Sequence, residues 1–175
     1  MRRCRECSGR RLGFATARAA VEYDEQVRRL VRAWKEHALR RLASFAVALI
    51  AEGMPPPRAS AVVTFVPPDP DRGLKRGHHP PAELAAGLAS AWDLPVLPLL
   101  ERSRPAPPQR RLALAERRRN VRGAFAPTRA PPDCILLVDD VYTTGATASE
   151  AARSLLRAGA RHVDVMTFAR TVRRG

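Results

Sequence analysis

Ile135-Leu136-Leu137-Val138-Asp139-Asp140-Val141-Tyr142-Thr143-Thr144-Gly145-Ala146-Thr147 joins an apolar run, an acidic pair and a Thr/Gly turn in direct succession. The apolar residues 134–138 predict a strand that ends at the acidic pair. Residues 146–158 predict a helix closed by Gly159, and residues 162–169 a further strand. Strand, helix and strand at this spacing make a βαβ unit, which implies a parallel sheet covered on both faces. The turn sits at a helix N-terminus, where free amides and the helix dipole favour an anion. Gly145 lets the backbone approach closely, and the hydroxyls of Thr143, Thr144 and Thr147 add donors. That combination suits a phosphate. Carboxylates just ahead of it repel phosphate and suit hydroxyl donors, for which a ribose 2′,3′-diol is the obvious candidate. Together the two halves describe a ribose 5-phosphate. An Asp-Asp pair can also hold a metal, or merely close a strand at a solvated turn. The Thr-Thr-Gly-x-Thr behind it, at the junction where such sheets bind ligands, favours the ligand. Neither the Walker A pattern nor the dinucleotide fingerprint occurs.

Upstream, residues 17–23 predict a strand, with Asp24 placed to cap a helix over 25–35 in which Val27, Leu30, Val31 and Trp34 recur at helical spacing. A second helix over 38–51 is stopped by Gly53 and the prolines at 55–57. Residues 61–66 predict a buried strand, residues 67–81 a loop, 82–92 a helix, and 95–100 a weak strand. Residues 101–122 carry eight arginines, with three prolines in the first half and no apolar periodicity there, which predicts an exposed loop. Within it, residues 112–120 are compatible with a short helix.

At 175 residues the chain fits one compact domain with room for a small appendage, and its 45% hydrophobic content is ordinary for a globular protein. Its apolar stretches are too short to span a bilayer and its start has no signal-peptide pattern, so a cytoplasmic location is expected. The net charge of +14 points to polyanions. Lys35 and Lys75 are the only lysines, and the excess of arginine, alanine and proline is also what GC-rich coding produces. Charge alone leaves both readings open. A single-strand platform needs stacking aromatics, yet aromatics are 5% and Trp34 and Trp92 sit at helical core spacing. Cys134 reads as a core residue, whereas Cys4 and Cys7 form a lone Cys-x-x-Cys.

The 135–147 run resembles the binding signature of type I phosphoribosyltransferases for 5-phosphoribosyl 1-diphosphate (PRPP). Nearly the whole chain is similar to the ComF family, phosphoribosyltransferase-like proteins linked to DNA uptake in competent bacteria. Tyr23 with residues 30–35, Arg76-Gly77 after Val66-Pro67, and Arg102, Gln109, Glu116-Arg117, Asn120 and Gly123-x-Phe125 carry that likeness. Two departures stand out. His78-His79-Pro80 follows Arg76-Gly77 where the family has Phe-Asn-Gln, and only Cys4 and Cys7 remain of two Cys-x-x-Cys pairs. A structural zinc needs further ligands beyond this half site. His78 and His79 read as solvated side chains or phosphate contacts rather than metal ligands.

The resemblance implies a three-layer, Rossmann-like α/β fold with a central, mostly parallel sheet and a small N-terminal or loop hood. It divides the chain into an N-terminal segment, residues 1–22, and a phosphoribosyltransferase-like domain, residues 23–175. It implies PRPP, or another ribose 5-phosphate, as ligand, with Mg²⁺. Asp139 and Asp140 become the catalytic candidates and bind the ribose; Thr143, Thr144, Gly145, Ala146 and Thr147 take the 5-phosphate. Lys35, Arg76, Gly77, Arg102, Gln109, Arg117 and Asn120 are candidates for the pyrophosphate side and its flexible loop. Expected partners include single-stranded DNA or competence proteins. The alternatives are a basic nucleic-acid-binding protein on this fold without transferase activity, and a metabolic transferase whose acceptor the sequence does not name.

Overall fold

In a computed structural model, residues 12–37, 39, 41–56, 62–69, 77–103 and 121–172 are described. The sheet is built by β1 (Thr16–Glu22), β2 (Val62–Phe65), β5 (Cys134–Tyr142) and β6 (His162–Arg170), in the order β1-β6-β5-β2 and with all neighbours parallel. Val96 adds an isolated parallel bridge to Val63 on the outer side of β2. Pro95 and Pro98 lack amides to extend that pairing, so the strand expected over 95–100 reduces to this bridge. A separate antiparallel pair joins β3 (Leu100–Arg102) to β4 (Phe125–Pro127).

Among the described residues, four helices flank the sheet: α1 (Glu25–His37), α2 (Arg41–Gly53), α3 (Pro80–Ala91) and α4 (Ala146–Arg157). Asp24 caps α1 as expected, its Oδ1 accepting from Val27 N at 2.8 Å. Helix α3 starts two residues earlier than expected, because proline is tolerated in a first turn whose amides need no intrahelical partner.

Alternation along β5 separates two cores. Ile135 and Leu137 pack with Val163, Val165, Ala151 and Leu155 on the α4 side. Leu136 and Val138 pack with Met166, Phe168, Trp34, Ile50 and Leu88 on the side of α1, α2 and α3. The result is three layers, helix–sheet–helix, which is the mixed α/β architecture expected of the βαβ pattern. Thr16–Glu22, which the sequence division assigns to an N-terminal segment, is a strand of this main sheet.

The acidic pair does not end its strand. β5 runs through Asp139 and Asp140 to Tyr142, paired with β6 out to Tyr142↔Arg170. The long partner strand keeps offering backbone groups, and these outweigh the local turn signal.

The crossovers diverge at the centre of the sheet. β2 leads through α3 outward to Val96, whereas β5 leads through α4 back to β6. The point between β2 and β5 is therefore a topological switch, where open α/β sheets leave a crevice at the strand C-termini.

Candidate functional site

That crevice is a cleft of about 300 Å³. One wall comes from the C-terminal end of β5 and the start of α4, with Asp139, Asp140, Thr143 and Thr147; the other comes from residues after β2 and before α3. Lys35, from the last turn of α1, and Arg102, from β3, also line it. Residues far apart in sequence thus meet in one polar recess.

The carboxylates are held tightly. Asp140 is buried, and its Oδ2 takes the Lys35 Nζ at 2.5 Å. The Asp140 amide donates to Asp139 Oδ1 at 2.9 Å. Burial and the neighbouring Asp140 push the Asp139 carboxyl up to about 7, only partly opposed by Lys35. Burial works against the charge of Lys35, but Asp140, with Asp139 and Tyr23 behind it, outweighs burial and lifts the ammonium above its usual value.

The turn after β5 has a clear division of labour. Gly145 has φ +70°, and the Tyr142 ring fills the space that any side chain there would need. Thr144 Oγ1 accepts from Ala146 N at 3.3 Å, so Thr144 supports the helix start while Thr143 and Thr147 line the cleft. Of the expected phosphate-side residues, Thr143 and Thr147 face the recess; Thr144, Gly145 and Ala146 shape the turn.

On the opposite wall, Trp34 Nε1 donates to Glu83 Oε2 at 2.9 Å, and His78 Nδ1 lies 3.4 Å from Glu83 Oε1. His78 Nε2 is 3.3 Å from Lys35 O. Glu83 and His78 thus tie α3 to the stretch of α1 that carries Lys35. The His78 side chain is 2% exposed, which corrects the expectation of a solvated ring; acceptors on both sides draw it inward. His79 lines the cleft, and burial lowers its pKa to about 4. No regular spacing in the sequence marks Glu83 as the link, because its partners come from another helix and from the preceding loop.

Arg102 sits with its guanidinium carbon 5.0 Å from the Phe125 ring centroid. Gly77 is exposed with φ +64°. Cys4, Cys7, Arg76, Gln109, Arg117, Asn120 and the helix expected over 112–120 lie outside the described residues. Among the described residues, no helix is long and apolar enough to cross a membrane.

No family model matches the chain. It is 38% identical over 91 residues to the DNA utilization protein YhgH of Salmonella typhi, covering 51% of this chain and 38% of that protein. It is 33% identical over 105 residues to Competence protein F of Haemophilus influenzae, covering 57% of this chain and 45% of that protein. The chain therefore spans less than half the length of these curated relatives. The crystal structure of TT1426 from Thermus thermophilus is similar over 74% of this chain and 83% of that chain, with 19% identity and a TM-score of 0.44. Over about half its length, then, the chain is similar to proteins named for DNA utilization and for competence.

Proposed function

We propose that the cleft binds PRPP, with the ribose diol on Asp139 and Asp140 and the 5-phosphate at Thr143–Thr147. The observation that carries this reading is the meeting, in one recess at the switch point, of a carboxylate pair, two threonine hydroxyls at a helix N-terminus, and the cations Lys35 and Arg102. Hydroxyl donors suit the carboxylates, and acceptor-only phosphate oxygens suit the helix start. The cleft volume lies at the small end for ligand sites and matches a sugar phosphate better than a dinucleotide.

If group transfer takes place there, a nucleophile attacks C1 of the ribose and pyrophosphate leaves with the bonding electrons. The residues act by position and charge. Asp139 and Asp140 orient the ring, and Lys35 and Arg102 offset negative charge on the departing group. The hard oxygen donors of Asp139 and Asp140 fit Mg²⁺, a cation that commonly binds through one or two carboxylates plus substrate phosphates. Bound there, Mg²⁺ would supply charge neutralisation for the leaving pyrophosphate. The acceptor stays unassigned in this proposal, and the fold names none.

A second reading is favoured by the names of the relatives and by the charge of +14: a nucleic-acid-binding role in DNA uptake, carried by the basic surface and compatible with PRPP binding. Single-strand binding of that kind falls steeply with added salt.

The direct test is calorimetric titration of Mg²⁺-PRPP into the wild type and into a variant carrying Asp139→Asn and Asp140→Asn. Saturable binding that the folded variant loses supports the proposal. Absence of binding to the wild type at millimolar PRPP rejects it and leaves the nucleic-acid reading to be tested next.

A further inference from the structure

Helix α4 carries polar side chains on its buried face. Glu150 and Ser154 are 6% and 3% exposed, among Ala151, Ala152 and Leu155. Burying such groups costs stability unless each finds a partner. Both find it in the backbone that leads into β4. Glu150 Oε1 accepts from Gly123 N at 3.0 Å, and Ser154 Oγ donates to Phe125 O at 3.0 Å. A serine inside a helix ordinarily returns its hydroxyl to the carbonyl one turn back; this one reaches across to another element. Glu150 and Ser154 stand one turn apart on one side of α4. Between them they grip a short piece of main chain at both ends, a carboxylate on its amide and a hydroxyl on its carbonyl.

Arg102 rides on that piece of chain. Phe125 is its register partner across the β3–β4 pair, and the guanidinium carbon lies 5.0 Å from the Phe125 ring centroid. The β3–β4 pair is separate from the main sheet. Leu99 N donates to Thr64 Oγ1 at 3.2 Å, which ties the approach to β3 to β2. The other end of β3, where Arg102 reaches the cleft, is held to α4 through Phe125. The start of α4 lines the same cleft with Thr147. One helix thus sets two places in the recess, its own N-terminus directly and Arg102 through β4.

Resting on the phosphoribosyl reading above, we propose that Ser154 and Glu150 are positioning residues for Arg102, holding its guanidinium at a fixed distance from the start of α4. Neither residue lines the cleft. They act through the backbone of β4 and the ring of Phe125. A ligand with phosphoryl groups at both places then meets donors already in position, and need not order a long, freely rotating side chain as it binds.

The test joins side-chain spectroscopy to binding. Ser154→Ala removes the hydroxyl and keeps a good helix former, while Ser154→Thr restores the hydroxyl. In the ligand-free chain, the ¹H–¹⁵N resonance of Arg102 Nε reports where the guanidinium sits against the Phe125 ring. It is expected to shift or broaden in Ser154→Ala and to return towards its wild-type position in Ser154→Thr. Ser154→Ala is also expected to lose about 3- to 10-fold in affinity for inorganic pyrophosphate and to keep its affinity for ribose 5-phosphate. In an Arg102→Gln background the same substitution is expected to change pyrophosphate affinity no further. Glu150→Gln, which keeps an acceptor for the Gly123 amide, is expected to retain pyrophosphate affinity, and Glu150→Met to lose it as Ser154→Ala does. Melting temperatures establish that each variant is folded.

An unmoved Arg102 resonance in Ser154→Ala overturns the inference, as does unchanged pyrophosphate affinity while ribose 5-phosphate still binds. An equal loss in the wild-type and Arg102→Gln backgrounds, or a parallel loss of ribose 5-phosphate, makes Ser154 a purely structural residue. Equal pyrophosphate affinities in the two Glu150 variants remove Glu150 from the role. If the wild type binds neither probe, the phosphoribosyl reading itself fails and the positioning role falls with it.

Discussion

Gly145 shows how narrow the tolerance of the turn is. Its φ of +70° is a region that residues with a Cβ rarely enter, and the Tyr142 ring stands where that Cβ would go. Gly145→Ala is expected to cost about 1–3 kcal/mol from the backbone alone, with more from displacing Tyr142. Thermal unfolding and ligand titration check this, and a variant with unchanged melting temperature and affinity contradicts the assigned role. Asp139 makes a prediction in pH. Burial and the neighbouring Asp140 push its carboxyl up to about 7 from an ordinary 3.8, so the folded chain keeps a proton that the unfolded chain has lost over that window. Stability from this group is greatest below the ordinary value and declines as pH rises towards about 7. Asp139→Asn removes that dependence, so its melting temperature relative to the wild type should rise between about pH 4 and about pH 8. A difference that stays constant over this range contradicts a proton held on Asp139.

At the scale of elements, the wall of the cleft depends on a link between α1 and α3. Trp34 is 1% exposed and its indole N–H has Glu83 as acceptor. Glu83→Ala strands that donor and is expected to lower stability by about 1–3 kcal/mol, while Glu83→Gln keeps an acceptor and costs less. Denaturant midpoints with an unchanged m-value measure the difference; equal midpoints for the two variants would remove Glu83 from the link. This contact also marks where sequence reading stops. The periodicity of Val27, Val31 and Trp34 shows which face of α1 is apolar, and the strand–turn–helix order from Ile135 shows where β5 turns into α4. Neither tells that Trp34 meets Glu83, since contacts between helices have no local signature. The acidic pair stood out in the sequence but not as strand, because pairing with β6 overrides the local signal. Likewise, the start of α3 was hidden by reading Pro80 and Pro81 as loop, though proline is at home in a first helical turn.

For the whole molecule, the opposed crossovers from β2 and β5 explain why residues from α1, β3, β5 and α4 share one recess. The parallel sheet was readable from one βαβ unit, whereas the strand order needed the pairing of β2 with β5 across about 70 residues of intervening chain, beyond any local pattern. The recess and the net charge of +14 make separable demands. Binding of single-stranded DNA through basic side chains is expected to weaken steeply with salt, and loss of the carboxylates Asp139 and Asp140 should leave it intact. Salt-dependent binding isotherms for the wild type and the doubly substituted variant separate the two sites, and a parallel loss of both ligands would merge them. The most direct measurement for the central claim is a ¹H–¹⁵N NMR titration with Mg²⁺-PRPP, following backbone amides. Saturable shifts concentrated at Asp139, Asp140, Thr143, Gly145 and Thr147 are the predicted result. Shifts confined to other surfaces, or none at millimolar ligand, would contradict a phosphoribosyl site between β5 and α4.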